Sequence, residues 1–166
     1  KNGGFSKQGV KYFKGEYQEQ HIAKPRDILF SNTDLTRQGD IVGSPLRIPF
    51  LEHSKDIIFS MDLSKIESNQ EDIINNYLYF WMQQKNFKTH MIRSSAGSTV
   101  LHLDVNYAMT YLGCFPPLPE QKKIASILTS VDEVIENTQK QINKLQSLKK
   151  SLMQDLLTGK VRVSIH

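Results

Sequence analysis

Glu120 and Lys122 have the Glu-x-Lys spacing found in many metal-dependent nucleases, and Asp27 could supply an upstream acid. Such a site holds a metal ion only when both carboxylates project into one pocket. We consider it the weaker interpretation, because Glu120 also stands where a carboxylate complements the N-terminus of a predicted helix. The sequence has no Gly-x-Gly-x-x-Gly or P-loop pattern, and its five histidines and single cysteine lack metal-ligand spacing. We therefore expect no catalytic residue, no cofactor and no bound metal.

Two basic segments carry side chains suited to binding duplex DNA. Lysine ammonium groups neutralise phosphates, whereas arginine forks and asparagine amides can pair with base edges in the grooves. The glycines between them are typical of exposed loops. The candidate DNA-binding residues are Lys7, Lys11, Lys14, Asn32, Thr33, Arg37 and Arg47 in the first segment and Lys88, Arg93, Ser94 and Ser95 in the second.

The distribution of charge favours the same two segments. Residues 1–51 carry eight basic and five acidic side chains, and residues 84–103 carry three basic side chains and no acidic one. Residues 52–83 between them have a net charge of −4, and an acidic segment is repelled by phosphates. We therefore expect the loops around Lys11, Arg37, Arg47, Lys88 and Arg93 to share one face, with Lys88 on phosphate and Arg37 on a base edge.

The first two thirds of the chain are predicted to form a small domain of mixed strands and helix. Short apolar or alternating runs bounded by Gly, Pro, Asn or Ser predict strands at residues 27–31, 46–50, 56–60 and 100–103. The capping-box pattern from Ser68 to Glu71, followed by apolar residues at helical spacing, predicts a helix over residues 69–86. Its apolar and aromatic stripe is interpreted as core.

Three prolines among residues 116–119 mark a boundary, which we place between a domain at residues 1–114 and a helical part at residues 115–166. From Pro119 to about Leu157, apolar residues recur at heptad spacing, and Gly159 follows as a stop signal. Such a stripe requires a partner helix. The residues predicted to pair, hereafter the seam, are Ile124, Leu128, Val131, Ile135, Ile142, Leu145, Leu148, Leu152 and Leu156.

Size and composition limit the class of protein. A chain of 166 residues with 39% apolar residues suits one ordinary domain plus one further element, and excludes two full-sized catalytic domains. The net charge of +4 permits a polyanionic partner. No apolar run approaches the roughly 18 residues of a membrane span, and one cysteine cannot form an internal disulfide. We expect a cytoplasmic α+β protein with no membrane contact.

The stretch Phe115-Pro-Pro-Leu-Pro-Glu-Gln-Lys-Lys-Ile124, continuing to Leu156-Leu-Thr-Gly-Lys-Val161, resembles the conserved helical region of type I restriction-modification specificity (S) subunits. Residues 27–31 resemble the family's Gly-Asp-Ile-Leu strand, although Arg26 replaces the glycine. Residues 94–99 resemble the Gly-Ser/Thr segment ahead of the last strand of a recognition domain. Recognition domains diverge with the sequence they read, so no base contact is transferred.

The resemblance implies part of one target recognition domain, which reads half of a split site in double-stranded DNA, and a helix that pairs antiparallel with a second one. The second helix would belong to the same subunit or to a homodimer. It also implies docking to modification (methyltransferase) subunits and, through them, to the restriction subunit, which perform the catalysis. A full S subunit carries two recognition domains and two such helices, whereas this sequence holds one helix and what resembles the later portion of one recognition domain. We therefore expect either the C-terminal part of a full subunit or a half-sized subunit that dimerises.

Two other classes of function remain open. The chain could be a coiled-coil scaffold or protein-interaction module whose front domain binds protein, which salt-sensitive duplex binding would distinguish. It could also be a small nuclease using Asp27, Glu120 and Lys122, which would nick DNA only with a divalent metal.

Overall fold

The protein is described by a computed structural model that covers residues 10–51 and 56–164. The predicted α+β class is confirmed: small antiparallel sheets precede one long helix. The strands are β1 (Ile22–Ala23), β2 (Ile28–Ser31), β3 (Thr33–Asp34), β4 (Pro45–Arg47), β5 (Ile57–Ile58), β6 (Leu63–Ile66), β7 (Ser95–Ala96) and β8 (Leu101–Leu103). The α-helices are α1 (Asn75–Trp81), α2 (Lys85–Arg93), α3 (Val105–Ala108) and α4 (Leu118–Leu157), and Glu19–His21 forms one turn of 3-10 helix.

The chain divides into two compact units, Lys1–Ala125 and Ser126–His166. The first turns of α4 therefore belong to the first unit, together with the sheets and the three shorter helices. The remainder of α4 makes up most of the second unit. In the parts of the chain that the structure covers, no helix is both long and apolar enough to cross a membrane.

Strand β2 is the centre of the first unit. It pairs antiparallel with β4 on one side and β6 on the other, with Leu29 opposite Leu46 and Lys65. Its residues Ile28, Leu29 and Phe30 are all buried, because one face lies in the larger core cluster and the other in a smaller one. The strand predicted at residues 27–31 is confirmed as β2. Its continuous apolar run is the pattern of a strand covered on both faces.

The other predicted strands are confirmed in shortened form. The runs at 46–50, 56–60 and 100–103 become β4, β5 and β8. Strand β8 is the middle of a second sheet, flanked by β3 and β7, with Thr33 opposite His102 and Ser95 opposite Leu103. Strands β1 and β5 form a separate pair.

The single helix predicted over residues 69–86 was wrong, because the chain forms two shorter helices there. The Ser68 hydroxyl donates to the Ile73 carbonyl, so residues 69–73 form a turn and α1 begins only after Ile74. The chain becomes extended again at Gln84 before α2 starts. The interpretation of the apolar stripe as core is confirmed. Leu78 of α1 and Met82, which follows that helix, are buried in one cluster with Phe87 and Met91 of α2.

Helix α4 matches its prediction closely. It has 40 residues, which at 1.5 Å per residue gives a length of about 60 Å. Gly159 follows it with a φ of 73°, the left-handed conformation that commonly ends helices. Ile124 is half-buried in the first unit, whereas the other eight seam residues are exposed along the helix. Pairing of the seam remains a prediction.

Candidate nucleic-acid interface

The connection between β3 and β4 is organised around one buried carboxylate, that of Asp34, which is 1% exposed. We call residues 34–44 the Asp34 loop. Asp34 Oδ1 accepts from the Thr36 amide and hydroxyl, both at 2.7 Å. Its Oδ2 accepts from the amides of Ile41 and Val42, the latter at 2.9 Å. One side chain thus satisfies backbone donors at both ends of the loop, which would otherwise be left unpaired.

The same bonds set the acidity of Asp34. Burial by itself would raise the pKa of the carboxyl, because it disfavours the charged form. The hydrogen bonds donated by Ile41, Thr36 and Val42 favour the carboxylate and outweigh burial, so the pKa lies below its ordinary value. Asp34 is therefore a charged structural group at neutral pH.

The tip of the Asp34 loop is a four-residue turn closed by a hydrogen bond from the Gly39 amide to the Thr36 carbonyl at 3.2 Å. Arg37 and Gln38 occupy its two corners, and both are exposed. The Thr36 hydroxyl also accepts from the Asp40 amide at 3.0 Å. The turn is therefore fixed at its base, while its corner side chains are left to solvent.

Helix α2 packs closely on the back of this loop. Gly39 and Gly43 both have positive φ, and a Cβ on either would meet Ile92 or Met91 at under 3.0 Å. Glycine is required at these positions for both conformation and space. The predicted candidate Arg37 is thus carried on a loop that lies against the helix carrying Lys88 and Arg93.

Lys88 fastens the loop to α2. Its ammonium group donates to the Val42 carbonyl at 2.7 Å and to the Ser44 hydroxyl at 2.8 Å. Half-burial lowers the pKa of Lys88, and the charges of Asp34 and Asp40 partly offset that effect. The ammonium that we expected on a DNA phosphate is directed at the protein's own loop.

The second basic segment divides into exposed and internal residues. Arg93 is exposed at the end of α2. Ser94 is 5% exposed, and its hydroxyl donates to the His90 carbonyl at 2.8 Å. Ser95 is half-buried and donates to the Met91 carbonyl at 2.8 Å. Both hydroxyls are used at the helix terminus, so neither is presented as an open donor.

Asn32 and Thr33 lie where β2 passes into β3. The Asn32 side-chain amide donates to the Met61 carbonyl at 3.1 Å, and the Thr33 hydroxyl donates to Asp62 at 3.4 Å. Both side chains are half-buried and engaged with the turn before β6.

Arg47 and the N-terminal lysines are placed elsewhere. The Arg47 guanidinium donates to Asn76 at 3.1 Å and lies over the Tyr79 ring, 4.7 Å from its centroid. Lys11 and Lys14 are exposed in an irregular segment. Lys7 lies outside the described residues. Of the predicted residues, the structure therefore brings together those of the Asp34 loop and α2.

The residues of the nuclease interpretation have other partners. Asp27 accepts from the Lys24 amide at 2.9 Å and lies 3.8 Å from the Lys65 ammonium. Glu120 occupies the first turn of α4, as predicted for a carboxylate at a helix N-terminus. Within residues 10–51 and 56–164, no group of three His, Cys, Asp or Glu side chains is arranged to hold a metal ion.

Sequence reasoning missed three residues: Asp34, Gln38 and Gln121. Asp34 had a recognisable signal, since an aspartate two positions before a threonine is typical of a side-chain-capped turn. Gln38 adjoins Arg37 and is exposed, but it carries no charge, so the charge pattern does not select it. Gln121 belongs to the Pro-Leu-Pro-Glu-Gln stretch, and nothing in the sequence marks it as the completely buried residue that it is.

Residues 3–147 match the family model of the type I restriction modification DNA specificity domain. The chain belongs to this family. The resemblance predicted from the Pro-Leu-Pro-Glu-Gln stretch and the long helix is thereby confirmed. The matched range takes in strands β1 to β8, the three shorter α-helices and residues 118–147 of α4.

Two relatives come from Methanocaldococcus jannaschii. The specificity domain is 28% identical over 162 residues to a sequence assigned as the MjaX type I restriction enzyme specificity subunit, covering 94% of this chain and 37% of that protein. It is 25% identical over 148 residues to the MjaVIII type I restriction enzyme specificity subunit, covering 87% of this chain and 35% of that protein. The chain thus spans little more than a third of the length of these relatives.

The fold is shared with a solved structure. The crystal structure of the HsdS subunit from Thermoanaerobacter tengcongensis superposes with a TM-score of 0.53 at 18% sequence identity. The match covers 83% of this chain and 34% of the HsdS chain. The specificity domain described here therefore has the architecture of part of that subunit.

Proposed function

We propose that this chain is a non-catalytic, sequence-specific DNA-recognition component of a type I restriction-modification complex, acting in the cytoplasm. In this proposal it reads one half of a split target site in double-stranded DNA. It also docks the modification subunits and, through them, the restriction subunit. The observation that carries the proposal is the match of residues 3–147 to the DNA specificity domain family.

The geometry of the first unit supports DNA binding through the Asp34 loop and the end of α2. Arg37 and Arg93 are exposed cations on two elements that pack against each other. Lys11 and Lys14 add exposed positive charge in the N-terminal segment. We retain these four residues as proposed DNA contacts, because exposed cations supply the phosphate-binding term of affinity.

The remaining predicted residues take a different place in the proposal. Lys88, Ser94 and Ser95 act as supports, since their polar groups are bonded within the domain. Asn32, Thr33 and Arg47 would reach DNA only by exchanging their present partners. Lys7 stays a proposed phosphate contact from the sequence alone.

We further propose that the exposed seam of α4 pairs antiparallel with a second specificity helix, in the same subunit or in a homodimer. Eight of its side chains are large and exposed. Burying a fully exposed aliphatic side chain contributes about 1.5 to 3 kcal/mol. These eight are 38% to 65% exposed, so each would contribute part of that amount, and their sum favours an assembled state.

The test is selection of bound duplexes from a random pool by the full chain, followed by titration across salt concentrations. We expect one enriched sequence, with affinity that falls as salt rises. With S-adenosylmethionine, the chain alone should not methylate DNA, and methylation should appear after modification subunits are added. Absence of any sequence enrichment, with protein assembly intact, would support the scaffold interpretation instead.

A further inference from the structure

We infer that the turn at residues 36–39 is the base-reading element of this domain, with Arg37 and Gln38 as reading residues and Asp34 as the residue that positions them. This inference rests on the proposed DNA-recognition function and deepens it. It concerns one turn of the first unit and assigns a role to two residues, Gln38 and Asp34, that the charge pattern of the sequence does not select.

The turn is held without help from its corner side chains. The Asp34 carboxylate binds Thr36, the first residue of the turn, and Ile41 and Val42 after it. The Thr36 hydroxyl closes the base by accepting from Asp40, and Gly39 lies against Ile92 of α2. Every group that fixes the turn is therefore backbone or belongs to a neighbouring residue.

The corner residues have the chemistry needed to read adjacent bases. An arginine fork matches the O6 and N7 acceptors of guanine, and a glutamine amide matches N6 and N7 of adenine. Both side chains are exposed and stand at consecutive positions. Leu35, 81% exposed just before the turn, adds an apolar surface of the kind that meets a thymine methyl group.

An exposed side chain on a hydrogen-bonded turn distinguishes Arg37 from Arg47 and Lys88. Holding a recognition loop in one conformation before binding lowers the ordering cost of association. Arg47 must leave Asn76 and the Tyr79 ring to reach another partner, and the Lys88 ammonium is bonded to the loop. Arg37 and Gln38 have fixed backbones and exposed side chains.

The experiment measures affinity for the selected duplex and for single-base variants of it, using the full chain. Arg37→Ala and Gln38→Ala should each reduce discrimination at one base pair by about 5-fold to about 140-fold. Affinity for scrambled duplex should change much less for Gln38→Ala, which alters no charge. Asp34→Asn should relax the preference at those same base pairs, although Asp34 itself is buried.

Asp40→Asn is the matched control. It removes the same charge from the same loop, but the exposed Asp40 contributes only its backbone amide to the bonds that hold the turn. We expect its base preference to equal that of the parent chain. Should Asp34→Asn not fold, Thr36→Val removes the hydroxyl that links Asp34 to Asp40 and leaves the carboxylate in place.

Two kinds of failure are distinguishable. If the parent chain selects no sequence and binds duplex without salt dependence, the proposed function itself fails. If the parent chain selects a sequence but Arg37→Ala and Gln38→Ala lose affinity equally for selected and scrambled DNA, the inference is overturned and the function stands. Unchanged base preference in a folded Asp34→Asn or Thr36→Val variant would remove Asp34 as the positioning residue.

Discussion

The side-chain carbonyl of Gln121 accepts a hydrogen bond from the backbone amide of Ile74 at 3.1 Å, joining positions 47 residues apart. Its amide nitrogen donates to the carbonyls of Asp72 and Pro116 at 2.8 and 2.9 Å. One fully buried side chain thus ties the first turn of α4 to the segment that precedes α1 and to the proline-rich stretch. Ile74 is the residue directly before α1, so Gln121 satisfies a backbone donor at the start of that helix.

We predict that Gln121→Ala lowers the free energy of unfolding by about 2 to 4 kcal/mol. The substitution removes the partner of the Ile74 amide and of two carbonyls. A fully buried unsatisfied group costs about 1 to 3 kcal/mol, but these three groups belong to half-buried or exposed residues, so water compensates part of the loss. Urea unfolding of the full chain measures the change. Gln139→Ala, on the exposed part of α4, is the control and should stay within about 0.5 kcal/mol of the parent.

We predict that the stabilising effect of Asp34 depends on pH. The depressed pKa of this group means that its contribution is fully present above the ordinary value of 3.8 and is lost as pH falls through the folded-state pKa. At pH 7, Asp34→Asn should cost about 2 to 4 kcal/mol, because two charge-assisted bonds are replaced by opposed donors. The difference in unfolding free energy between parent and variant should begin to shrink as pH falls below about 3.8; a constant difference would contradict the assignment.

We predict that Lys88→Ala destabilises the first unit by about 1 to 2 kcal/mol. The Val42 carbonyl and Ser44 hydroxyl lose their donor, and removal of a costly half-buried charge returns only part of that loss. Lys85→Ala is the matched control, since Lys85 is exposed on the same helix. Denaturant midpoints compare the two, and equal midpoints would show that the bonds of Lys88 contribute nothing to stability.

We predict that Leu145→Asp disrupts assembly through α4. Leu145 is 65% exposed in the middle of the seam, and burying a carboxylate in an apolar helix pair costs several kcal/mol. Sedimentation should show the parent chain associating with rising concentration and the variant remaining monomeric. Gln146→Asp changes a neighbouring exposed position outside the seam and should leave assembly intact. A monomeric parent chain at all concentrations would exclude homodimerisation.

Elements that depend on local pattern could be predicted from sequence. The run Ile28-Leu29-Phe30 identified β2, and heptad spacing gave both ends of α4, because these signals lie within the segment itself. The capping box at Ser68 failed: its hydroxyl bonds the Ile73 carbonyl, and the Ile74 amide just before α1 is paired by Gln121, a residue 47 positions away. No local pattern contains that information.

Prediction of the candidate site was also limited by contacts between residues that are far apart in the sequence. Arg37 could be selected by charge, since exposure of a loop arginine is the common case. The role of Lys88 could not, because its partners, Val42 and Ser44, lie 46 and 44 positions away. Part of the Asp34 loop could be predicted from the spacing of Asp34 and Thr36. The bonds from the amides of Ile41 and Val42 could be found only in the structure.

In the Asp34 loop, the groups that hold the fold are different from the side chains that we propose bind DNA. Its carboxylate binds backbone amides and one hydroxyl, and none of these groups belongs to Arg37 or Gln38. Substitution at the two corners therefore carries little penalty in folding free energy, as for most exposed positions. A lineage could exchange these side chains freely and acquire new target sequences in single mutational steps, with the scaffold inherited unchanged.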